Sequence, residues 1–270
     1  MNLKKGLAFV TTSPTDATVD SVLLGGKQGA AWYYTWSPVS SVPDAHGAEF
    51  VPMLWDASAA QWAALRANYH ADYKGWLLFL NEPNHPQQAN MSPETAAIIY
   101  HAVRSEYPLA QIVAPGCWDR PLQDTKTGDW SAGGDHWLTE WREAHWRWFH
   151  SYPDVAAYAL HYYTGHEPAK AVERFWNEWV CRYDGRPDVG VWLTEFRMCN
   201  EWWVRVKDYD LAAHFRAQVR AMEALTYLQR WAYFANREYL ADPVVSNDDC
   251  HIGLNTDEGL TNLGKVYLDL

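Results

Sequence analysis

The chain has 270 residues, of which 48% are hydrophobic and 20% are charged, a composition typical of a folded globular protein. Its 22 Lys and Arg residues are outnumbered by 33 Asp and Glu residues, which gives a formal net charge of −11 at pH 7. This balance argues against binding to nucleic acid or to an anionic membrane, because both need a positive surface. No apolar run approaches the ~18 residues of a membrane-spanning helix.

The N-terminus and the cysteines bear on the cellular compartment. The first ten residues carry two lysines and only about five apolar residues behind them, fewer than the roughly 7–15 of a secretory signal. We therefore expect a soluble chain, secreted only if a signal has been removed. The four cysteines, Cys117, Cys181, Cys199 and Cys250, form no C-x-x-C pair, which disfavours a zinc ribbon or a redox pair. Their sparse spacing favours four free thiols, with one disulfide as the alternative.

Short β-rich runs alternate with helical patterns along the chain. The predicted strands cover residues 6–10, 31–36, 49–55, 76–81, 112–116, 157–163, 189–196 and 230–235. The predicted helices cover residues 58–69, 93–103, 135–149, 169–180 and 209–228. Ser92 and Pro93 are typical of the start of a helix. The strand onsets lie roughly 18–45 residues apart, which brackets the ~30 residues of one strand–helix–strand unit.

Eight such units predict an α/β fold, a single (β/α)8 barrel that occupies residues 1–270 as one domain. Residues 37–48 are too short and too rich in Pro and Gly for a good helix, so we expect one or two degenerate helices. Residues 117–134 are polar and predict a long loop after the fifth strand. The alternative is a doubly wound open sheet, which would carry a glycine-rich phosphate loop after the first strand. The sequence has no such loop.

Two glutamates stand where an apolar strand meets a loop. The fourth predicted strand ends at Asn81 and is followed by Glu82, and the seventh ends with Glu195 and Phe196. A carboxylate in this position is partly desolvated, which is costly unless the group is paired or used. The ends of strands four and seven face each other across the mouth of a barrel, where catalytic groups lie. Paired carboxylates in this arrangement are typical of glycoside hydrolysis.

Aromatic residues accumulate at the same strand ends. The chain contains 17 Trp, 16 Tyr and 8 Phe residues, and so many indoles exceed what burial alone explains. Such an excess favours a surface that stacks on neutral polar ligands such as sugars. His161 and Tyr163 share one face of the sixth strand because strand side chains alternate. The other strand-end aromatics that we expect to bind substrate are Tyr34, Trp36, Trp55, Trp118 and Tyr233.

Five segments together resemble glycoside hydrolase family 128, the "glycosyl hydrolase catalytic core" group of clan A. They are Trp32-Tyr33-Tyr34-Thr35-Trp36, Phe50-Val51-Pro52-Met53-Leu54-Trp55, Asn81-Glu82-Pro83-Asn84, His161-Tyr162-Tyr163 and Trp192-Leu193-Thr194-Glu195-Phe196. The resemblance runs in order from Gly6 to about Asn236. It implies a retaining hydrolase of β-1,3-glucans in which Glu82 is the acid/base and Glu195 the nucleophile. It also implies that Asn81 contacts the sugar 2-hydroxyl and that His161 and Tyr163 line the same subsite.

The sequence departs from the family at two places. Arg197 follows the Thr-Glu-Phe segment, where the family usually has a small residue, and the last strand reads Trp231-Ala232-Tyr233-Phe234 rather than Tyr-Ala-Trp-Phe. Both departures leave the two glutamates in place and bear on the preferred linkage and chain length. We predict an endo-acting β-1,3-glucan hydrolase that is a monomer, needs no cofactor and binds no metal. The alternatives are another clan A β-glycanase or glycosidase, and an inactive glucan-binding barrel. A third alternative, proton abstraction or phosphate chemistry, would need a lysine or metal carboxylates at the strand ends.

Overall fold

The computed structural model of the chain describes residues 3–11, 13–119, 133–163, 166–197, 211–237, 253–256 and 259–270. Its strands are β1 (Lys5–Ala8), β2 (Trp32–Tyr34), β3 (Glu49–Phe50), β4 (Met53–Leu54), β5 (Trp76–Phe79), β6 (Gln111–Val113), β7 (Ala157–Tyr162), β8 (Gly190–Phe196), β9 (Leu228–Phe234), β10 (Asn255–Thr256) and β11 (Gly259–Leu260). Its α-helices are α1 (Pro14–Asp20), α2 (Ala59–Asn68), α3 (Pro93–Glu106), α4 (Gly134–Phe149), α5 (Pro168–Arg174), α6 (Leu211–Ala224) and α7 (Asn262–Asp269). A π-helix (Phe175–Asp184) extends α5. Over these ranges, every helix is too short or too polar to cross a bilayer.

The main sheet is parallel and closes on itself. Its strands are hydrogen-bonded in the order β3-β2-β1-β9-β8-β7-β6-β5-β4, and the two end strands are separated in the chain only by Val51 and Pro52. The Val51 N–H donates to the Tyr33 carbonyl at 2.9 Å, and the Pro52 carbonyl accepts from the Leu78 N–H at 3.0 Å. One segment therefore bonds to β2 on one side and to β5 on the other. The predicted strand 49–55 is divided because Pro52 has no N–H to donate, and the barrel has the eight units expected.

Two layers of side chains fill the barrel wall. Inward-facing residues form one cluster, in which bulky Trp32 and Trp192 pack together with small residues such as Ala157 and Ala232. Outward-facing residues of the strands pack against the helices in a second, larger cluster. Because strand side chains alternate, membership of these two clusters tells which residues of each strand face the barrel interior and which face the helices.

The N-terminal end of the barrel is closed by a cation enclosed in aromatic rings. The Arg230 guanidinium carbon lies 4.6 Å from the centre of the Trp192 ring, 5.4 Å from Trp76 and 5.5 Å from Trp32. Its Nη2 donates to Glu49 Oε2 at 2.7 Å. These contacts form a plug that seals the end of the barrel opposite to the predicted catalytic groups.

The helices lie close to where the sequence places them. Helices α2, α3 and α4 match the predictions within a few residues, and the Ser92 side chain accepts from the Thr95 N–H at the start of α3. The predicted helix 169–180 is α5 followed by the π-helix, and α6 ends at Ala224, before the predicted residue 228. Residues 37–48 contain no helix, as expected. Most of the predicted loop 117–134 falls outside the described residues.

Candidate active site

Glu82 and Glu195 meet at the C-terminal mouth of the barrel. Both side chains are buried, with 4% of each residue exposed. One oxygen of Glu82, one oxygen of Glu195 and a ring nitrogen of His161 all lie within 4.8 Å of one another. The fourth and seventh units thus bring together the two carboxylates that the sequence singles out.

An irregularity in β8 turns Glu195 into the barrel. Trp192 points inward and Leu193 outward, so simple alternation would turn Glu195 towards the helices. The pairing with β7 passes over Thr194, and Glu195 therefore lies opposite His161. A bulge of this kind is a common way to redirect a functional side chain.

The backbone at Leu80 and Glu82 is strained. Leu80 has φ of 57° and Glu82 has φ of 41°, both in the left-handed region that non-glycine residues rarely adopt. The Glu82 N–H donates to the Gly116 carbonyl at 2.7 Å, which ties the turn to the end of the neighbouring unit. Strain of this kind persists only where the surroundings fix it, and it concentrates at functional sites.

Three aromatic side chains donate hydrogen bonds to the Glu195 carboxylate. The Tyr34 hydroxyl and the Trp36 indole N–H reach Oε1 at 2.9 and 2.8 Å, and the Tyr163 hydroxyl donates to Oε2. Burial, reinforced by the charge of Glu195, raises the pKa of Tyr34 and of Tyr163 well above the ordinary value. Both phenols therefore remain donors over the whole working pH range, and an indole N–H can only donate.

Glu82 has a different environment. Its Oε1 lies 2.8 Å from His161 Nδ1, and the same nitrogen lies 3.6 Å from Glu195 Oε2. Burial raises the pKa of Glu82; the hydrogen bond to His161 opposes the shift and the charge of Glu195 adds to it. Glu82 therefore holds a proton more readily than an ordinary carboxyl. The two neighbouring glutamates thus have different surroundings: Glu195 accepts hydrogen bonds from aromatic side chains, and Glu82 lies against His161.

Gly116 is a supporting residue that sequence reasoning missed. A Cβ added there would lie 2.4 Å from His161 Nε2, closer than real atoms approach. His161 is fully buried and bonded to Glu82, so the imidazole could move away only by disturbing that contact. The glycine therefore makes space for His161 while its carbonyl holds Glu82. Its position at the end of the predicted strand 112–116 is visible in the sequence. Nothing in the sequence indicates which side chain packs against it.

Asn81 and Asn84 flank Glu82 and are both buried. Asn81 Nδ2 donates to Gln88 Oε1 at 3.2 Å, while its Oδ1 has no hydrogen-bond partner within the described part of the chain. Asn84 fixes Trp118 through the backbone, accepting from the Trp118 N–H and donating to its carbonyl, both at 2.9 Å. Asn84 is a second supporting residue that the sequence analysis did not single out.

Trp36, Trp55, Trp118 and Tyr163 line the mouth of the barrel, half-buried as subsite residues would be. The Trp118 and Tyr163 rings stack with centroids 5.3 Å apart. Tyr34 is instead fully buried, so its contribution is the hydroxyl that reaches Glu195.

The prediction that Tyr233 lies at the rim is wrong. Its ring is fully buried among Phe196 and Phe215, at centroid distances of 5.5 and 5.2 Å, on the helix-facing side of β9. Phe234 is the residue of β9 that faces the mouth, where its ring contacts Trp36 at 5.6 Å and Tyr163 at 5.8 Å. Neighbouring residues of a strand face opposite sides, so only one of these two can face the barrel interior. The sequence alone does not tell which one it is.

Glu82, His161 and Glu195 form the cluster of described residues that is compact enough to hold a cation. The oxygens of Glu195 already accept from Tyr and Trp donors, an arrangement suited to a free carboxylate. Cys117 and Cys181 are free thiols, as expected. Cys199 and Cys250 lie outside the described residues.

The fold is shared with solved glycoside hydrolase structures. An endo-β-1,3-glucanase of glycoside hydrolase family 128 (subgroup II) from Pseudomonas viridiflava has a TM-score of 0.70 and 24% identity, covering 99% of this chain and 98% of that chain. A curdlan-specific exo-β-1,3-glucanase of subgroup III from Blastomyces gilchristii, solved with glucose, has a TM-score of 0.67 and 21% identity, covering 99% and 98%. A subgroup I endo-β-1,3-glucanase from Amycolatopsis mediterranei, solved with laminaritriose, has a TM-score of 0.66 and 24% identity, covering 98% and 99%.

Curated proteins give no match. The family model described as "Glycosyl hydrolase catalytic core" matches residues 6–267, nearly the full length. This match agrees with the resemblance found in the sequence motifs and with the buried carboxylate pair at the barrel mouth. The chain is a glycoside hydrolase and belongs to the glycosyl hydrolase catalytic core family.

Proposed function

We propose that this chain is a retaining endo-β-1,3-glucan hydrolase in which Glu82 is the acid/base and Glu195 the nucleophile. The observation that carries the proposal is the approach of the two carboxylates, in which one oxygen of Glu82 lies within 4.8 Å of one oxygen of Glu195. Retaining enzymes hold their carboxyl groups about 5–5.5 Å apart, whereas inverting enzymes leave about 6.5–9.5 Å for a water molecule. An approach this close supports the retaining arrangement.

In the first step Glu195 attacks the anomeric carbon. A lone pair of one carboxylate oxygen forms the bond to C1, and the glycosidic bond breaks with its electron pair on the leaving oxygen. Glu82 supplies the proton that this oxygen takes up. Its raised pKa, caused by burial and by the neighbouring charge of Glu195, suits it to this task.

In the second step Glu82, now a carboxylate, takes a proton from water. The water oxygen bonds to C1, and the electron pair of the C1–ester bond returns to Glu195. Two inversions at C1 give net retention. His161 Nδ1, which lies near both carboxylates, keeps Glu82 oriented through both steps.

The choice of β-1,3-glucan rests on the relatives and on the shape of the site. The solved relatives named above are β-1,3-glucanases, and one of them holds laminaritriose. The half-buried rings of Trp36, Trp55 and Trp118 offer apolar faces to glucose units. Asn81 Oδ1, buried and free within the described part of the chain, offers an acceptor for a sugar hydroxyl beside Glu82.

The test is a reducing-sugar assay on laminarin, curdlan, lichenan and cellulose, with product analysis on laminarihexaose. We expect hydrolysis of laminarin and curdlan, and early products of several lengths from the hexaose, which indicate internal cleavage. Release of glucose alone would contradict the endo mode. Activity confined to cellulose would contradict the linkage, and no activity on any glucan would favour the inactive glucan-binding barrel.

A further inference from the structure

Trp36 lies at the barrel mouth and contacts Glu195 through its indole nitrogen, in addition to offering a ring face to a sugar. Its indole N–H lies 2.8 Å from Glu195 Oε1, the same oxygen that accepts from Tyr34. We propose that Trp36, together with Tyr34, is a positioning residue that reserves Oε1 as the carbonyl oxygen of the glycosyl-enzyme and thereby speeds the breakdown of that intermediate. The inference rests on the proposed function, because it presumes that Glu195 forms a covalent ester.

The conformation of Trp36 supports a role that the surroundings enforce. Its φ is 52°, in the left-handed region, which is costly for a bulky residue. The ring is held edge-on between Tyr34, at a centroid distance of 5.1 Å, and Phe234, at 5.6 Å. A mere stacking platform would not need the indole nitrogen to be aimed at the carboxylate. Here the strained backbone and both neighbours fix that nitrogen towards Oε1.

The two oxygens of Glu195 are not equivalent. Oε1 accepts from two donors, whereas Oε2 accepts from Tyr163 and lies 3.6 Å from His161 Nδ1, on the side of Glu82. The leaving oxygen of the substrate must be within reach of Glu82, so the anomeric carbon lies on that same side. Oε2 is therefore the oxygen that bonds to C1, and Oε1 becomes the ester carbonyl.

The donors to Oε1 act differently on the two steps. When the ester forms, negative charge leaves the carboxylate, so its hydrogen bonds weaken and give no help to bond formation. When the ester breaks, charge returns to the carboxylate and the same bonds strengthen. Interactions that are stronger in the transition state than in the ground state accelerate a step. The Trp36 N–H should therefore favour release of the sugar from Glu195.

The test is the variant Trp36→Phe, which keeps an aromatic ring and removes the N–H. It is assayed with an aryl β-laminarioligoside whose good leaving group makes ester formation fast. We expect kcat to fall about 10- to 100-fold, the effect of losing one hydrogen bond to a charged group. KM should fall in step, so that kcat/KM stays within about threefold, and intact-protein mass spectrometry should show the glycosyl adduct accumulating at steady state.

Two further variants complete the experiment. Tyr34→Phe removes the other donor to Oε1 and should give the same pattern of kcat, KM and adduct, which keeps the proposal testable if Trp36→Phe unfolds. Trp148→Phe removes an indole N–H from a residue that is 59% exposed, and its kinetics should match those of the wild type.

The outcomes separate the two proposals. A lower kcat with an unchanged or higher KM and no adduct, in both the Trp36 and the Tyr34 variants, would overturn the inference and leave the proposed function standing. The wild type should form an adduct on Glu195 with a 2-deoxy-2-fluoro aryl laminarioligoside. Its absence would overturn the proposed function, and the inference with it.

Discussion

The two ends of the barrel use aromatic residues around opposite charges. At the N-terminal end the faces of Trp32, Trp76 and Trp192 surround the Arg230 cation, with ring centres 4.6–5.5 Å from the guanidinium carbon. At the C-terminal end, Tyr34, Trp36 and Tyr163 turn their polar edges towards the Glu195 carboxylate. The first arrangement closes one end of the barrel, and the second lies at its open mouth.

The difference follows from the charge distribution of an aromatic ring. Ring faces carry negative charge and attract cations, while the edges and the attached N–H or O–H groups carry positive charge and attract anions. One residue type can therefore hold a cation at one end of the barrel and a carboxylate at the other. Substitutions should accordingly lower stability at the Arg230 plug and activity at the mouth.

The largest effect is expected for the two carboxylates. Glu82→Gln and Glu195→Gln should each lower glucanase activity by about 10²–10⁴-fold or more, because general acid/base catalysis alone contributes that much and loss of the nucleophile costs at least as much. The melting temperature should stay close to that of the wild type. Glu178→Gln, an exposed residue on the π-helix, is the matched control and should keep full activity. Near-normal turnover by either active-site variant would refute its role.

The plug should show the opposite pattern. Trp192 is fully buried and contacts Trp32 and Trp76 at centroid distances of 5.1 and 4.6 Å. Trp192→Ala should therefore lower the free energy of unfolding by about 3–5 kcal/mol, the usual cost of a cavity of this size, measured by chemical denaturation. The activity per folded molecule should not change.

Trp148→Ala, at an exposed position, is the control for that experiment and should shift stability by less than about 0.5 kcal/mol. If Trp192→Ala instead lost activity without losing stability, the assignment of a structural role to the N-terminal end of the barrel would be wrong.

Gly116→Ala should lower activity by displacing His161, although it removes no functional group. The added methyl would meet His161 Nε2 at 2.4 Å, so the imidazole must shift from Glu82. Displacement of a catalytic group by about 1 Å can cost roughly 10²-fold in rate, and we expect a loss of kcat/KM of that order. At Gly185, where an added methyl has open space, the same change strains a φ of 72° and should leave kcat/KM unaltered. Equal kinetics for the two variants would count against the role of Gly116.

The smallest effect is expected for the outer aromatic rings. Trp118→Ala should weaken binding of long laminarioligosaccharides by about 1–3 kcal/mol, the value of burying a comparable side chain, with less effect on short ones. Tyr233→Ala is the contrast, because its ring lies in the core and its loss should lower stability by about 3–5 kcal/mol instead. Calorimetric titration and thermal melts measure both quantities. Unchanged affinity in folded Trp118→Ala would remove that residue from the binding site.

Much of the fold could be predicted from the sequence because apolar periodicity reports burial directly. The eight strand segments and the five helices follow from it, and so does the place of Glu82 and Glu195 at strand ends. The division of the predicted strand 49–55 follows from Pro52. The sequence does not show, however, that its first part pairs with β2 and its second part with β5. Helices α1 and α7 were not predicted. The Thr261 hydroxyl that caps α7 could have indicated its start.

The site was harder to predict in detail because it depends on contacts between distant segments. Strict alternation would turn Glu195 outward, and only its pairing with β7 reveals the bulge at Thr194. Tyr233 and Phe234 are both aromatic, so the sequence could not tell which of them faces the mouth. Gly116 must lack a side chain because His161, which is distant in the sequence, packs directly against it.

The most direct test of the account is the anomeric configuration of the first product. Laminarihexaose is hydrolysed by the wild-type enzyme in an NMR tube, and the anomeric proton signals are followed before mutarotation. The proposed retaining mechanism, supported by one oxygen of Glu82 lying within 4.8 Å of one oxygen of Glu195, predicts that the β-anomer appears first and that the α-anomer grows only later. Initial release of the α-anomer would mean inversion, and would contradict the assignment of Glu195 as a nucleophile.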